Sequence, residues 1–229
     1  MSMPDLNVSL EQRITHIGTS SASGFKTSLF FKMGKRLTDL FCVTAGIIPL
    51  SLVFIIVAIF IKLEDPKGRV FFSQVRIGKN GKPFKMYKFR SMQASAEEML
   101  DSLLHKNEIS GAMFKIKEDP RVTKVGRVIR RLSVDELPQL WNVMKGEMSL
   151  VGPRPPLPRE VKLYTTYDMQ RLLVTPGCTG LWQISGRNST SFEDMVDMDL
   201  KYIAERSLIN DLIIIAKTLK VFLGSKHAF

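Results

Sequence analysis

Cysteine is scarce in this chain: 229 residues contain two, Cys42 and Cys178, far apart and in unlike contexts. There is no CxxC pair, and His16, His105 and His227 stand apart from both cysteines and from one another, so no zinc-site pattern is present. Two lone cysteines fit a reducing, cytosol-facing environment. The N-terminus lacks the basic start and apolar core of a secretory signal. Internal repeats and low-complexity tracts are also missing. Acid is in short supply: 22 Asp and Glu stand against 33 Lys and Arg, a net charge of +11. Such an excess points to a polyanionic partner: nucleic acid, an anionic membrane surface or a phosphorylated substrate. At 45% hydrophobic residues the chain is not a disordered basic protein, and its length suffices for one cored domain with appendages. The excess is concentrated: residues 62–131 hold seventeen Lys or Arg against eight Asp or Glu.

Charge is missing altogether from 40–61, "LFCVTAGIIPLSLVFIIVAIFI", twenty-two residues and enough to cross a bilayer as a helix. A buried core helix is rarely uncharged for so long. Pro49, near the middle, removes a backbone hydrogen bond and kinks a helix. The flanks are basic on both sides, with Lys32, Lys35 and Arg36 before and Lys62, Lys67 and Arg69 after. The bias of Lys and Arg therefore gives no orientation for a span, and two cytoplasmic flanks require a segment that enters and returns. A helix, a break at Pro49 and a second helix dipping into one leaflet are expected in preference to a span. The chain then divides into a mobile tail (1–31), a re-entrant membrane helix (32–63) and a catalytic domain (64–229).

Within the last part, "RVFFSQVRI" and "PFKMYKF" read as strands, with Asn80-Gly81 between them as a hairpin turn. Arg76, Lys79, Lys82, Lys85, Lys88 and Arg90 recur through it; for the lysines nearest the turn a solvated face is an equal reading. Residues 93–109 have helical spacing through Met99, Leu103 and Leu104. In "EDPRVTKVGRVIRRLS" apolar residues alternate with Arg or Lys at 121, 124, 127, 130 and 131, an amphipathic helix with a basic face. A short helix, a turn at Gly146 and a loop containing Pro153-Arg154-Pro155 follow. "TPGCTGLWQISGRN" is loop-like. Ser191 caps a helix in "SFEDMVDMDLKYIAERS". The last segment, "LINDLIIIAKTLKVFLGS", is an amphipathic helix that suits a core or a membrane surface equally.

The adjacent acids Asp135 and Glu136, just after the arginines, admit two readings. Ser133-x-x-Glu136 matches a capping box, but it puts Pro138 beyond the first turn; Asp135 as the cap of "ELPQLWNVM" puts Pro138 at an acceptable position. Alternatively the pair is chemical. A helix start favours anions, and Arg127, Arg130 and Arg131 approach from the preceding helix with guanidinium forks suited to phosphate. Two carboxylates beside a phosphate site call for a divalent cation, and Mg²⁺ takes such oxygen ligands. One carboxylate could bind metal while the other attacks phosphorus.

These residues resemble the bacterial sugar transferase family, the monotopic polyprenol-phosphate phosphoglycosyl transferases. The motifs are "KRLTDLFC", "GRVFFSQVRIGKNGKPFKMYKFRSM", "DPRVTKVGRVIRRLSVDELPQLWNVMKGEMSLVGPRPPLP" and "PGCTGLWQISGRN", running from about residue 32 to the C-terminus. The resemblance implies an α+β monotopic membrane protein: a re-entrant helix broken at Pro49, a small hairpin-containing catalytic domain and amphipathic interfacial helices. It implies transfer of a hexose 1-phosphate from a UDP-hexose to undecaprenyl phosphate, releasing UMP, at the cytoplasmic face of the bacterial inner or plasma membrane. Asp135 would be the nucleophile, forming a phosphosugar-enzyme intermediate, and Glu136 would hold Mg²⁺ with it. Arg130, with Arg127, Arg131, Lys88 and Arg90, would contact phosphate. Pro153, Arg154 and Pro155, with Gln183 and Arg187, would contact the nucleotide. Two departures stand out. Ile48 precedes Pro49 where some short members have serine, and only a tail stands where longer members carry extra spans. "GLWQISGRN" resembles the subgroup that starts exopolysaccharide, capsule or O-antigen repeats; galactose and glucose are equally compatible. Nucleic acid is not expected as a partner, because the basic residues interleave with hairpin and loop motifs rather than lining one helix with stacking aromatics. A homo-oligomer is compatible with the sequence.

Overall fold

The computed structural model describes residues 28–106, 116, 118–185 and 191–224, with backbone alone for 221–224. The expected tail to residue 27 lies outside them, as does Arg187. The fold is mixed helix and sheet, led by one long apolar helix, α1 (Leu29–Glu64), long and apolar enough to cross a membrane. Ser28 caps it, its hydroxyl accepting from Phe31 N–H. Pro49 lies inside α1 without interrupting it, so the expected helix–break–helix is a single helical element. Thr38, Thr44 and Ser51 return their hydroxyls to helix carbonyls.

Both ends of α1 are fixed to the same body. Near its start, Lys35 Nζ reaches Asp211 Oδ2 at 2.6 Å, Arg36 donates to the Val143 and Met144 carbonyls, and buried Asp39 accepts from Leu150 N–H. Val43 then enters a core with Phe84, Met86, Val143 and Met148. Near its end, Val57 and Ile61 pack with Phe89 and Ile129. Glu64 accepts from the N–H groups of Lys124 and Val125, and Asp65 pairs with Arg90.

The hairpin is β1 (Phe71–Ile77) and β2 (Pro83–Phe89), antiparallel, with Phe71 opposite Phe89 and Ile77 opposite Pro83. Its turn needs positive φ at Asn80 (56°) and Gly81 (78°), which explains that dipeptide. Of the helix expected over 93–109, the described residues 93–106 show α2 (Leu100–Leu103), preceded by turns and followed by the single 3₁₀ turn Leu104–Lys106, and 107–109 lie outside the described residues. The basic amphipathic segment is α3 (Lys124–Arg131), capped by Thr123, which accepts from Gly126 N–H. It is shorter than the sequence pattern suggests, because Val122 bridges to Met92 and buried Arg121 pairs with Asp119.

Beyond the acidic pair come α4 (Gln139–Lys145), ended by Gly146 at φ 80°, and β3 (Ser149–Val151). Two short helices follow, α5 (Pro158–Val161) and α6 (Thr166–Met169). The run expected as loop contains β4 (Gly177–Thr179), parallel to β3, and α7 (Leu181–Ser185). Ser191 caps α8 (Phe192–Glu205) as the sequence indicates. The last helix, α9 (Leu208–Gly224), buries Asp211, Ile214 and Thr218 on one side and exposes Ile209, Leu212, Ile213 and Leu219 on the other. The core reading holds for the buried face, and the exposed apolar face is the one the membrane-surface reading concerns.

Candidate active site

The Asp-Glu pair is delivered by a left-handed residue. α3 ends at Arg131, Leu132 N–H returns to Val128 O, and Ser133 turns the chain at φ 51°, ψ 20°. That region costs a non-glycine residue about 1–2 kcal/mol. The reversal leads into the 3₁₀ turn Val134–Glu136, which buries Asp135 (5% exposed) and leaves the Glu136 side chain 44% exposed. Neither carboxylate caps α4. Its cap position is Pro138, whose missing N–H and fixed φ cost nothing there, and the helix starts only at Gln139. The capping box and the Asp135 cap are both corrected by this start.

Two cations converge on the pair. Lys88, from β2, places Nζ 2.6 Å from Glu136 Oε1. Arg130, from the last turn of α3, is steadied by its Nε donating to Ser91 Oγ at 2.9 Å, and its charge bears on Asp135. Burial raises the Asp135 carboxyl; Lys88 opposes, Glu136 reinforces and Arg130 opposes, leaving it at about 6. Asp135 is thus ionised at neutral pH without being strongly paired. Burial also lowers the Arg130 guanidinium.

The other candidate phosphate ligands separate. Arg127 and Arg131 are exposed on α3. Arg90 turns away to clamp Asp65, and its guanidinium fills the space a Cβ would need at Gly68. It ties the end of α1 to the hairpin.

The Pro153-Arg154-Pro155 loop leaves β3 and is held by four successive carbonyls. Pro153 O accepts from Gly177 N–H (2.9 Å), Arg154 O from Arg171 Nη2 (3.4 Å), Pro155 O from Arg76 Nη1 (3.0 Å) and Pro156 O from Ile77 N–H (2.9 Å). Prolines have no N–H to offer, so the body must supply every donor. Arg171 is itself fixed by Asp199 and Tyr164, both buried. Gln183 approaches the loop's start, its Oε1 against Gly180 together with the Gly152 carbonyl. The hairpin joins the two motifs, for Arg76 feels the charges of both Arg154 and Glu136.

Arg76, Arg171, Asp199 and Asn142 escaped the site reading. Asn142 is wholly buried on α4, its amide bonded to Lys85 O, Glu147 Oε2 and Tyr87 N–H. Its sequence signal is a polar residue on the apolar side of "QLWNVM". Among the described residues no group of three or more His, Cys, Asp or Glu could hold a metal alone. Asp135 and Glu136 supply hard carboxylate oxygens. Mg²⁺ commonly takes one or two of these and completes its shell with water and substrate phosphate, so the donor set fits.

Residues 30–225 match the family model described as bacterial sugar transferase. The chain is 47% identical over 197 residues to "Galactosyl transferase CpsE" of Streptococcus agalactiae, covering 85% of this chain and 44% of that protein. It is 41% identical over 201 residues to "Exopolysaccharide production protein ExoY" of Rhizobium meliloti, covering 86% and 88%. It is 42% identical over 199 residues to "Undecaprenyl-phosphate galactose phosphotransferase" of Salmonella typhimurium, covering 85% and 41%. The chain thus spans less than half the length of two of these relatives and most of the third, and across that span it belongs to the bacterial sugar transferase family.

Proposed function

We propose that this membrane-associated protein transfers a hexose 1-phosphate from a UDP-hexose to undecaprenyl phosphate at the cytoplasmic face, the first step of an exopolysaccharide, capsule or O-antigen repeat. The observation that carries the reading is Asp135: a buried carboxylate that caps nothing, stays ionised at neutral pH and faces Lys88 and Arg130. Its oxygen attacks the phosphorus that bears the sugar. The new bond is Asp135 Oδ–P, the phosphoanhydride bond breaks, and the electron pair leaves on UMP. A phosphate oxygen of the lipid then attacks the same phosphorus, and the Asp135 carboxylate departs unchanged. Lys88 and Arg130 offset the charge that builds on the phosphoryl oxygens, where fixed cations act with little reorganisation. Mg²⁺, held by Asp135 and Glu136, would supply further neutralisation of the diphosphate. The pinned Arg154 loop presents its guanidinium to the nucleotide. The names of the Streptococcus and Salmonella relatives support galactose as the sugar.

The test is UMP release from a panel of UDP-sugars with Mg²⁺ and undecaprenyl phosphate, for wild type and Asp135→Asn. UMP from one or two sugars, lost in a folded Asn variant, is expected. Normal turnover by that variant would remove Asp135 as nucleophile.

A further inference from the structure

The hairpin face between the acidic pair and the Arg154 loop carries a residue that has been given no role above. Residues two apart on a strand share a face, and cross-strand partners share it too. Gln74 and Arg76 of β1 therefore lie on the same face as Met86 and Lys88 of β2, since Gln74 pairs with Met86 and Phe72 with Lys88. Along this face Lys88 reaches Glu136, and Arg76 reaches the Pro155 carbonyl. Gln74 sits between them, half-buried.

Arg76 decides which way the Gln74 amide points. The Arg76 side chain is buried (5% exposed) and its Nη2 donates to Gln74 Oε1 at 2.9 Å. A guanidinium has no acceptor, so the amide oxygen must face it and the NH₂ must face away. Among the described residues that NH₂ has no hydrogen-bond acceptor. The charges that bear on Arg76 include Arg154 and Arg159 against Glu160 and Glu136, and its Nε is buried without a partner. Burial, then Arg154, lowers the Arg76 guanidinium to about 9, still charged at neutral pH. A buried guanidinium with an orphan N–H is costly unless a further acceptor completes the site.

We infer that Gln74 is a substrate-binding residue, its NH₂ donating to a phosphate oxygen of the nucleoside diphosphate, with Arg76 as the positioning residue that fixes its orientation. This rests on the UDP-hexose reading above and assigns the diphosphate a place between Lys88 and Arg154.

Gln74→Glu tests it directly. The two side chains have the same shape, and Arg76 gains an ion pair, so the fold is retained. The outward NH₂, however, becomes a carboxylate oxygen facing phosphate. UDP binding is measured by calorimetry on the full chain in lipid nanodiscs, alongside steady-state transfer. Gln74→Glu is expected to weaken UDP binding at least thirtyfold and Gln74→Met about tenfold. KM for UDP-hexose should rise in step, with KM for undecaprenyl phosphate within twofold of wild type. A merely structural role for Gln74 would move both KM values together or neither. If wild type binds UDP and Gln74→Glu binds it equally well, the assignment of Gln74 is overturned while the donor stands. A folded wild type that binds no UDP overturns the donor reading, and this inference with it.

Discussion

Asp135 is a residue whose chemistry opposes its own stability. Its carboxyl is raised from 3.8 to about 6 by burial, so the folded state holds a proton more tightly than the unfolded chain does. The penalty for ionisation is absent below pH 3.8 and fully present above pH 6. Asp135→Asn, which removes the charge and keeps the shape, is therefore expected to stabilise the protein at pH 8 by about 3 kcal/mol. Denaturant unfolding at pH 8 and pH 4 checks this: the gain should shrink to under about 1 kcal/mol at the lower pH, and a variant less stable at pH 8 would contradict the burial argument. Lys88 belongs to the same balance. Lys88→Met removes the cation 2.6 Å from Glu136 and is expected to lower kcat/KM about a hundredfold, read from UMP release. The structure brings Asp135, Glu136, Lys88 and Arg130 together, each from a motif the sequence displays. Arg90 stands apart from them, because the end of α1 brings Asp65 to it, a partner its place in the basic run gives no sign of.

Elements were legible where local pattern and tertiary packing agree. The hairpin followed from alternation and Asn80-Gly81; α8 followed from Ser191 and the capping box with Asp194. The stretch 93–109 misled because Met99, Leu103 and Leu104 fit a helical period, yet Leu103 is buried while Leu104 is half exposed. Ala96 is buried in the preceding turns, so the apolar positions do not line up on one helical face, and a short helix gains little without one. The start of α4 was misplaced because Pro138 was counted inside the helix, whereas its own packing begins with buried Gln139. What holds α4 against β2 is Asn142, and a single sequence gives little warning of it. Asn142→Leu would leave the half-buried Tyr87 N–H and the Lys85 carbonyl without their side-chain partner and Glu147 without its amide donor. An expected loss of about 3–4 kcal/mol follows from the unsatisfied groups. A drop in the unfolding midpoint, with transfer activity falling alongside because Lys88 rides on β2, is the outcome to measure. Stability within 1 kcal/mol of wild type would mean those groups find water instead.

At the scale of the whole molecule the question is how α1 meets the membrane. Its 36 residues at 1.5 Å each make a helix of about 54 Å, ample for a hydrocarbon core of about 30 Å. Length alone would permit a span, and the anchors at both ends are the argument for one-sided insertion. Val43 and Val57 both pack into the catalytic body, and so do Lys35, Glu64 and Asp65 beyond them. Only residues 44–56 lie between those two buried positions. Thirteen residues cover about 20 Å, well short of the roughly 20 residues a crossing requires. A span would also carry one set of anchors to the opposite side and pull it from partners it bonds in the same body. The exposed apolar face of α9 adds surface suited to the same leaflet. Basic flanks and Pro49 led the sequence reading to this topology through an expected break. Here it rests instead on the two sets of anchors, with the helix unbroken. The expectation is that both flanks lie on one side of the membrane. Lys32 and Lys67 are exposed on either side of the apolar stretch, so each can be replaced by cysteine in a Cys42→Ser, Cys178→Ala background. Both single-cysteine proteins should react with a membrane-impermeant maleimide in inside-out vesicles and neither in intact cells. Labelling of one from each side would establish a span, and would require the contacts at one end of α1 to open in the bilayer.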